Sequence, residues 1–175
     1  MQNYGKKFEA KFKGDWLKMP QSLCMRLLDV MSGYKQIKNP ADFVCYKFPF
    51  LFLLDCKSLS GNTFNFAKLT QWEDMEKLMG VPGANIGAVI WFMEWEKVCF
   101  VPIEEFIRLK GLGYKSIHVN MIGDTNFNVY EIPGKVKRFF IDSDYSVMLD
   151  IAEHDIYDLV KEKKDEWINK LLSIQ

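Results

Sequence analysis

The sequence predicts an α/β (α+β) protein in which a mixed β-sheet is flanked by helices. Apolar runs of strand length alternate with amphipathic helical segments, in the order helix, three strands, helix, two strands, helix. The chain of 175 residues is 49% apolar and 15% aromatic, a composition that excludes a disordered polypeptide. We expect a core domain over residues 1–122 and a C-terminal extension over residues 123–175.

The first helix and the first strand follow from the spacing of apolar residues. Phe8, Phe12 and Trp16 recur at four-residue intervals, which predicts an amphipathic helix over residues 5–17. Lysines surround this apolar stripe, so the helix is also basic. Residues 23–30 alternate between two sets of side chains and therefore predict the first strand.

Two further strands form the centre of the prediction. Residues 42–48 and 50–57 are apolar, aromatic-rich runs separated by one proline, which suits a tight antiparallel hairpin. Antiparallel pairing then places Asp42, at the start of one strand, beside Asp55, near the end of the next. Because side chains alternate along a strand, Lys57 is expected on the same face as Asp55.

The rest of the core and the extension complete the expected order of elements. The sequence predicts a helix over residues 69–79, strands over 86–93 and 97–101, and a helix over 102–110. In the extension, residues 126–132 and 137–141 are strand-like, and an acidic amphipathic helix is expected over about residues 144–172. This acidic helix has three open interpretations: it covers a sheet edge, it forms a dimer, or it binds a partner protein.

Composition limits the setting in which the protein acts. The longest apolar run is shorter than the roughly 20 residues that span a bilayer, and the start lacks a secretory signal, so we expect a cytoplasmic protein without membrane contact. The four cysteines, at 24, 45, 56 and 99, lie in apolar stretches without C-x-x-C spacing, which predicts buried free thiols. Residues 1–70 carry a charge of +6 and the remaining 105 residues carry −6, so a polyanion is expected to meet the first part.

The expected pairing of Asp42 with Asp55 indicates a metal site. Two like charges held across an antiparallel pair repel each other, and a divalent cation removes that repulsion. Mg²⁺ binds one or two carboxylates, keeps several waters and lowers the pKa of a water that attacks phosphorus. Lys57 would orient that water and offset charge on the phosphate. The alternative is structural, with both aspartates as ordinary strand-end residues and Lys57 in a surface ion pair.

Six short motifs occur in an order and spacing that is typical of one nuclease family. They are Gly-Lys-Lys-Phe-Glu at 5–9, Asn-Pro-Ala-Asp-Phe at 39–43, Phe-Leu-Leu-Asp-Cys-Lys-Ser at 52–58, Phe-Asn-Phe at 64–66, Leu-Thr-Gln-Trp-Glu-Asp-Met at 69–75 and Lys-Ser-Ile at 115–117. Together they resemble RecU-type Holliday-junction resolvases of the PD-(D/E)XK nuclease superfamily. The resemblance implies a restriction-endonuclease-like sheet and catalytic roles for Glu9, Asp42, Asp55, Lys57 and Gln71. It further implies that Asp42 and Asp55 ligate Mg²⁺ or Mn²⁺.

The same resemblance implies a Mg-dependent endodeoxyribonuclease that acts on branched or duplex DNA, chiefly a four-way junction in recombination or phage DNA processing. Symmetric cutting of two strands implies a homodimer. Two alternatives stay open: a nuclease for duplex ends, flaps or a specific sequence, and a non-catalytic DNA-binding scaffold with the same fold. The side chains expected to contact DNA phosphates are Lys6, Lys7, Lys11, Lys13 and Arg26.

Overall fold

The computed structural model describes residues 4–28, 30–32, 35–37, 39–81, 83–154, 156, 157 and 161. Its helices are α1 (Tyr4–Trp16), α2 (Trp72–Lys77) and α3 (Ile103–Gly111), and a further helix, α4, is described over residues 147–154. Its strands are β1 (Leu23–Arg26), β2 (Val30–Ser32), β3 (Lys35–Ile37), β4 (Phe43–Lys47), β5 (Phe50–Leu59), β6 (Thr63–Asn65), β7 (Ala84–Phe92), β8 (Lys97–Pro102), β9 (Ser116–His118), β10 (Tyr130–Ile132), β11 (Gly134–Val136) and β12 (Ile141–Ser143).

A mixed sheet lies at the centre of the protein. Among the described residues it has six strands, in the order β1–β4–β5–β7–β8–β10. Strands β5 and β7 are parallel, and the other neighbouring pairs are antiparallel. A parallel pair needs a crossover connection, and α2 lies in the segment that joins β5 to β7. The predicted α/β class with a mixed sheet flanked by helices is confirmed.

Helices cover both faces of this sheet. On one face the Trp16 ring of α1 is fully buried and contacts Phe52 of β5, with 5.2 Å between ring centroids. On the other face Phe106 of α3 is fully buried and packs against Trp72 of α2 at 5.7 Å. Buried aromatic pairs of this kind hold the helices against the sheet. None of the described helices is long and apolar enough to cross a membrane.

The predicted hairpin of two buried strands is present as β4 and β5. Its turn is tight, because Lys47 pairs with Phe50. Strand β5 continues two residues beyond its expected end at residue 57, since Leu59 still pairs with Phe92 of β7. The site residues of this strand therefore lie inside a paired strand, where neighbouring backbones fix their positions.

Two predicted elements are wrong in their extent. The strand expected over residues 23–30 ends at Arg26, and the described residues that follow form a separate antiparallel hairpin, β2–β3. The helix expected over residues 69–79 is reduced to α2. A short 3₁₀ turn precedes it, and Leu69, with a ψ of 81°, is not helical. Both differences arise from local turns that apolar periodicity does not detect.

Residues beyond 123 add to the same sheet and the same core. Strand β10 pairs with β8 at one edge, and Tyr145 is buried against Phe12 of α1, with 4.9 Å between ring centroids. The strand expected over residues 137–141 is instead largely the turn of the hairpin β11–β12. Most of the acidic helix expected over residues 144–172 lies outside the described residues. The domain boundary at residue 123 stays a prediction.

The four cysteines are buried free thiols, as the sequence predicted. Cys24 and Cys45 are cross-strand partners in β1 and β4, and their sulfur atoms lie 3.1 Å apart. Burial raises the pKa of the Cys56 thiol well above its ordinary value. This thiol therefore stays neutral and packs as a small apolar side chain.

Candidate active site

The hairpin β4–β5 brings two carboxylates together. Asp42 directly precedes β4, and its backbone N–H donates to the carbonyl oxygen of Leu54 at 3.1 Å. This contact extends the antiparallel register by one residue, so Asp42 lies opposite Asp55. The Asp42 carboxylate also accepts a hydrogen bond from the backbone N–H of Cys56, at 3.1 Å from N to Oδ2. The hairpin geometry thus produces the juxtaposition that the sequence predicted.

Asp55 is the fully buried member of the pair. Its side chain is 0% exposed, and its Oδ1 accepts a hydrogen bond from Lys57 Nζ at 2.7 Å. In the described part of the chain no N–H or O–H group donates to its buried Oδ2 when both carboxyl groups are ionised. Lys57 Nζ also lies 3.8 Å from Asp42 Oδ2, so one ammonium group serves two carboxylates. A buried carboxylate oxygen without a partner is unfavourable, which leaves Asp55 with unused capacity to bind a cation.

The shared environment separates the pKa values of the two carboxyl groups. Burial, reinforced by the neighbouring Asp42 carboxyl, raises the pKa of Asp55 to about 8. Burial also acts to raise the pKa of Asp42, but hydrogen bonding with the Asp55 carboxyl and the charge of Lys57 outweigh burial and lower that pKa. Burial opposes the charge of Lys57, yet Asp55 and Asp42 together raise its pKa. At neutral pH the carboxyl pair therefore holds one proton unless a cation takes its place.

Glu9 of α1 lies at the edge of this pair. Its carboxylate forms an ion pair with Arg26 of β1, at 2.7 Å between Oε2 and Nη2, although the N–H direction does not make a hydrogen bond. Burial raises the pKa of Glu9 against the opposing charge of Arg26, and Asp42 raises it further. Because Asp42 and Lys57 both act on this pKa, Glu9 lies within electrostatic range of the carboxylate pair.

Gln71 reaches the site from the side of α2. It directly precedes that helix, and its Nε2 donates a long hydrogen bond to Asp42 Oδ1 at 3.5 Å. Asp42 is thus the residue around which the other four predicted catalytic side chains lie: Glu9, Asp55, Lys57 and Gln71. The structure brings these side chains together, and their catalytic roles stay predictions.

The side chains expected to contact DNA fall into two groups. Lys6, Lys7 and Lys13 lie on the exposed side of α1. Lys11 and Arg26 are less exposed or ion-paired, with the acidic partners Asp142 and Glu9 respectively. Because an ion pair already neutralises part of their charge, Lys11 and Arg26 gain less from a phosphate contact than an unpaired cation would.

Lys11 belongs to a second group of charged residues, Lys11, Asp15, Lys18 and Asp142, which we call the paired cluster. Both lysines contact Oδ1 of the buried Asp15, and both contact Oδ1 of Asp142, at 2.7 Å from Lys11 and 2.5 Å from Lys18. The other oxygen of Asp15 accepts from the backbone N–H of Ser143 at 3.0 Å. Both oxygens of Asp15 thus have partners, and the cluster ties α1 to the C-terminal part of the chain.

The oxygen ligands at the site fit a hard divalent cation. The described residues contain no group of three or more His, Cys, Asp or Glu side chains that could hold a metal ion. Mg²⁺ has a smaller requirement, because it binds proteins through one or two carboxylates and keeps several waters. Asp42 and Asp55 meet that requirement, and the unpartnered Oδ2 of Asp55 is an oxygen ligand of the kind that Mg²⁺ and Mn²⁺ prefer.

Arg26 has a place at the site that the sequence did not reveal. It was expected to contact DNA, whereas in the structure it pairs with Glu9. The register of β1 was the signal that could have placed it, because Arg26 lies opposite Phe43, the residue next to Asp42. A charged residue at that position of a neighbouring strand is within reach of the carboxylates.

No protein-family model matches the sequence, and no match is found among curated proteins. Among solved structures, the chain is similar to Archaeoglobus fulgidus Hjc, a Holliday junction resolvase from an archaeal hyperthermophile, with a TM-score of 0.44 and 14% sequence identity. The similarity covers 71% of this chain and 85% of that chain. The assignment of a function therefore depends on the site itself.

Proposed function

We propose that this chain is a divalent-metal-dependent endodeoxyribonuclease of the PD-(D/E)XK type and that its substrate is a four-way (Holliday) junction. The observation that carries the proposal is the environment of Asp55. This carboxylate is fully buried, with one oxygen paired to Lys57 and the other without a partner. A buried acid whose pKa is strongly raised by its surroundings is typical of a functional site. The sequence motifs that resemble RecU-type resolvases support the same assignment.

A purely structural role does not account for the arrangement at Asp55. Burying a carboxylate costs stability unless its oxygens are paired, and a second carboxylate beside it adds repulsion. The paired cluster shows a structural aspartate in the same chain, since both oxygens of Asp15 have partners. A cation that replaces the shared proton during function would give both carboxylates a partner.

Asp42 and Asp55 would hold the cation, Mg²⁺ or Mn²⁺. When bound, the cation supplies positive charge to the scissile phosphate and lowers the pKa of the attacking water. Gln71 donates a hydrogen bond to Asp42 and thereby orients that carboxylate. Glu9, held by Arg26, adds a third carboxylate at the edge of the site.

Lys57 is the side chain best placed to act on the phosphate. Its ammonium group lies 2.7 Å from Asp55 Oδ1 and 3.8 Å from Asp42 Oδ2, directly at the carboxylate pair. In hydrolysis, water loses a proton and attacks phosphorus, one P–O ester bond breaks, and the leaving oxygen takes up a proton. Negative charge grows on the phosphate oxygens during this step, and the charge of Lys57 stabilises it.

Junction resolution needs two symmetric cuts, so we propose a homodimer with one site in each subunit as the active form. The resemblance to RecU-type resolvases, rather than the geometry of the site, selects the four-way junction as the substrate. Hairpin β2–β3 lies between β1 and the catalytic hairpin, where members of that family carry a longer projection. The same site would equally serve a nuclease for flaps, duplex ends or a specific sequence.

The test is to incubate the protein with a labelled four-way junction and with a linear duplex of the same sequence, in Mg²⁺ and in EDTA. Wild type is expected to make paired nicks in the junction only, and only in Mg²⁺. Asp55→Asn is expected to lower the cleavage rate by about 10³-fold or more. Asp142→Asn is the matched control, because it makes the same substitution in the paired cluster and is expected to keep cleavage.

Each outcome of this test separates two interpretations. Equal cutting of both DNAs would keep the nuclease and remove the junction specificity. Tight DNA binding without cutting, in Mg²⁺ and in Mn²⁺, would contradict catalysis and favour a DNA-binding scaffold. Equal losses of cleavage in Asp55→Asn and Asp142→Asn would show that the effect comes from the fold rather than from the site.

A further inference from the structure

The hairpin β11–β12 presents a basic and aromatic tip, residues 137–140. Its turn is closed by a hydrogen bond from the backbone N–H of Lys137 to the carbonyl oxygen of Phe140, at 2.7 Å. Arg138 and Phe139 occupy the turn, and the guanidinium of Arg138 lies 5.0 Å from the centre of the Phe139 ring. The Phe139 side chain is nevertheless 65% exposed. A large aromatic ring is therefore presented to solvent between cationic groups.

The tip is anchored to the core by a chain of aromatic rings. Phe140 packs on Trp91 of β7 with 5.3 Å between ring centroids, and Trp91 packs on Phe8 of α1 at 5.5 Å. Phe8 and Trp91 are both buried. Because of these contacts the exposed ring of Phe139 has a defined position relative to α1, the helix that carries Glu9.

A hollow of ≈370 Å³ lies beside the tip, at the C-terminal end of β5. Its lining includes Tyr4 at the start of α1, Trp91, and Ser60, which directly follows β5. Ser60 is three residues beyond Lys57, a distance of about 10 Å along an extended strand. Because side chains alternate along a strand, Lys57 faces the α3 side of the sheet like its neighbour Ile90, whereas Trp91 and Phe140 pack on the α1 side.

The charges around this hollow favour one orientation of a DNA strand. Neither Lys137 nor Arg138 forms an ion pair with an acidic side chain in the described part of the chain. The hollow is also lined by Glu94 and Glu96, which repel phosphate. Carboxylates accept hydrogen bonds from the amino groups of bases. Phosphates are therefore favoured beside Lys137 and Arg138, and base edges beside the two glutamates.

We propose that the hairpin tip is a second DNA-contacting surface, on the face of the sheet opposite the carboxylate pair, which binds a strand with an unpaired nucleotide. Lys137 and Arg138 contact phosphates, and the exposed ring of Phe139 stacks on the unpaired base. The proposal rests on the proposed function, because it takes the same DNA as ligand. It adds an element from the part of the chain whose overall charge is acidic, which the sequence did not assign to DNA.

The test measures binding in EDTA, where no cutting occurs, by fluorescence anisotropy of a labelled forked duplex with unpaired arms and of a fully paired duplex. A 2-aminopurine in the unpaired arm reports stacking through quenching of its fluorescence. Phe139→Ala is expected to weaken binding of the fork about tenfold, to leave the paired duplex unchanged and to abolish the quenching. Phe139 lies on an exposed turn, and thermal unfolding of the variant checks that the fold is kept.

The phosphate contact has its own matched pair of variants. Lys137→Ala is expected to weaken binding of both DNAs and to reduce the slope of log affinity against log salt concentration by about one. Lys135→Ala is the control, because Lys135 lies on the same hairpin but borders a different hollow, beside Asp142. Equal effects of the two lysine variants would contradict a specific contact at the tip.

Three results would overturn the proposal. The first is wild-type binding and quenching in Phe139→Ala, and the second is an equal loss of fork and duplex binding in that variant. The third is that Phe139→Ala loses binding to anionic phospholipid vesicles that wild type binds, while its DNA binding is unchanged. This result would identify the tip as a lipid contact. If wild type cuts DNA while Phe139→Ala binds normally, the nuclease stands and the tip proposal fails. If the fork effect is found without any cutting, the tip proposal stands and the nuclease fails.

Discussion

The candidate active site and the paired cluster use the same side chains in opposite ways. Both contain two aspartates and lysine, and both involve α1. In the paired cluster, two lysines serve two aspartates, and both oxygens of Asp15 have partners. In the candidate active site one lysine serves two aspartates, and one oxygen of Asp55 has no partner. The number of satisfied oxygens, rather than the residue types, distinguishes the paired cluster from the candidate active site.

The pKa values of the aspartates show the same contrast. Hydrogen bonds from Lys11 and Lys18 hold the pKa of Asp142 well below its ordinary value. Burial beside a second carboxyl raises the pKa of Asp55 to about 8. The ionised form is thus favoured in the paired cluster and disfavoured in the candidate active site. The first arrangement stabilises the fold at neutral pH, and the second weakens it.

The largest effect expected from this contrast is on activity. Among the described residues, Lys57 is the one cation that forms ion pairs with both Asp42 and Asp55. Lys57→Met removes this positive charge and should lower the rate of single-turnover cleavage by about 10²–10³-fold. The rate is measured by quenched flow with enzyme in excess over labelled junction DNA. Lys97→Met, which removes an exposed lysine paired with Glu131, is the control and should keep the rate. Similar rates in both variants would contradict the role of Lys57.

The second effect is on stability, and it concerns the paired cluster. Asp15→Ala leaves Lys11 and Lys18 without their buried partner and leaves the N–H of Ser143 unsatisfied. We expect the free energy of unfolding to fall by about 2–4 kcal/mol, measured by urea denaturation at neutral pH. A loss below about 1 kcal/mol would show that this cluster is no more important than an exposed ion pair.

The smallest effect is a gain of stability at the candidate active site. The pKa of Asp55 in the folded protein, about 8, lies above the ordinary carboxyl value of 3.8. Its contribution to stability is therefore fully present below pH 3.8 and is lost as the pH rises through about 8. Asparagine does not titrate, so Asp55→Asn should be more stable than wild type by about 1–3 kcal/mol at pH 9, with a smaller difference at pH 6.

Urea denaturation at the two pH values checks this gain without any DNA or metal. Asp142→Asn is again the matched control, and it should show no gain at either pH, because the Asp142 carboxylate is favoured in its ionised form. A loss of stability in Asp55→Asn at pH 9 would mean that the Lys57 ion pair outweighs the burial of Asp55. The comparison between the two clusters would then have to be abandoned.

The part of the site that depends on local geometry could be predicted from the sequence. Asp42, Asp55 and Lys57 lie on one hairpin, and a tight turn between apolar runs sets the register that brings them together. The alternation of side chains along a strand placed Lys57 on the face of Asp55. Glu9 and Gln71 came from resemblance to a family, because no local rule connects α1 and α2 to this hairpin.

The contacts between distant segments could not be predicted. Lys11 and Asp142 are 131 positions apart, and their meeting depends on how the hairpin β11–β12 packs on α1. The sequence also predicts a strand at the tip of that hairpin, where the structure has a turn. Phe139 and Phe140 suggest a strand by composition, and the turn contains neither glycine, proline nor asparagine to signal a reversal. The tip is identified by its backbone hydrogen bond, which only the folded chain shows.

The contact of α1 with residues after 140 has a consequence for protein synthesis. A ribosome makes α1 before its partners: Asp142, Ser143 and Tyr145, which contact α1 in the folded protein, are made more than 120 residues later. A nascent chain that ends before residue 142 lacks these partners of the helix that carries Glu9. We therefore expect the proposed nuclease activity to appear only after residue 145 has emerged, so that shorter nascent chains do not cut DNA.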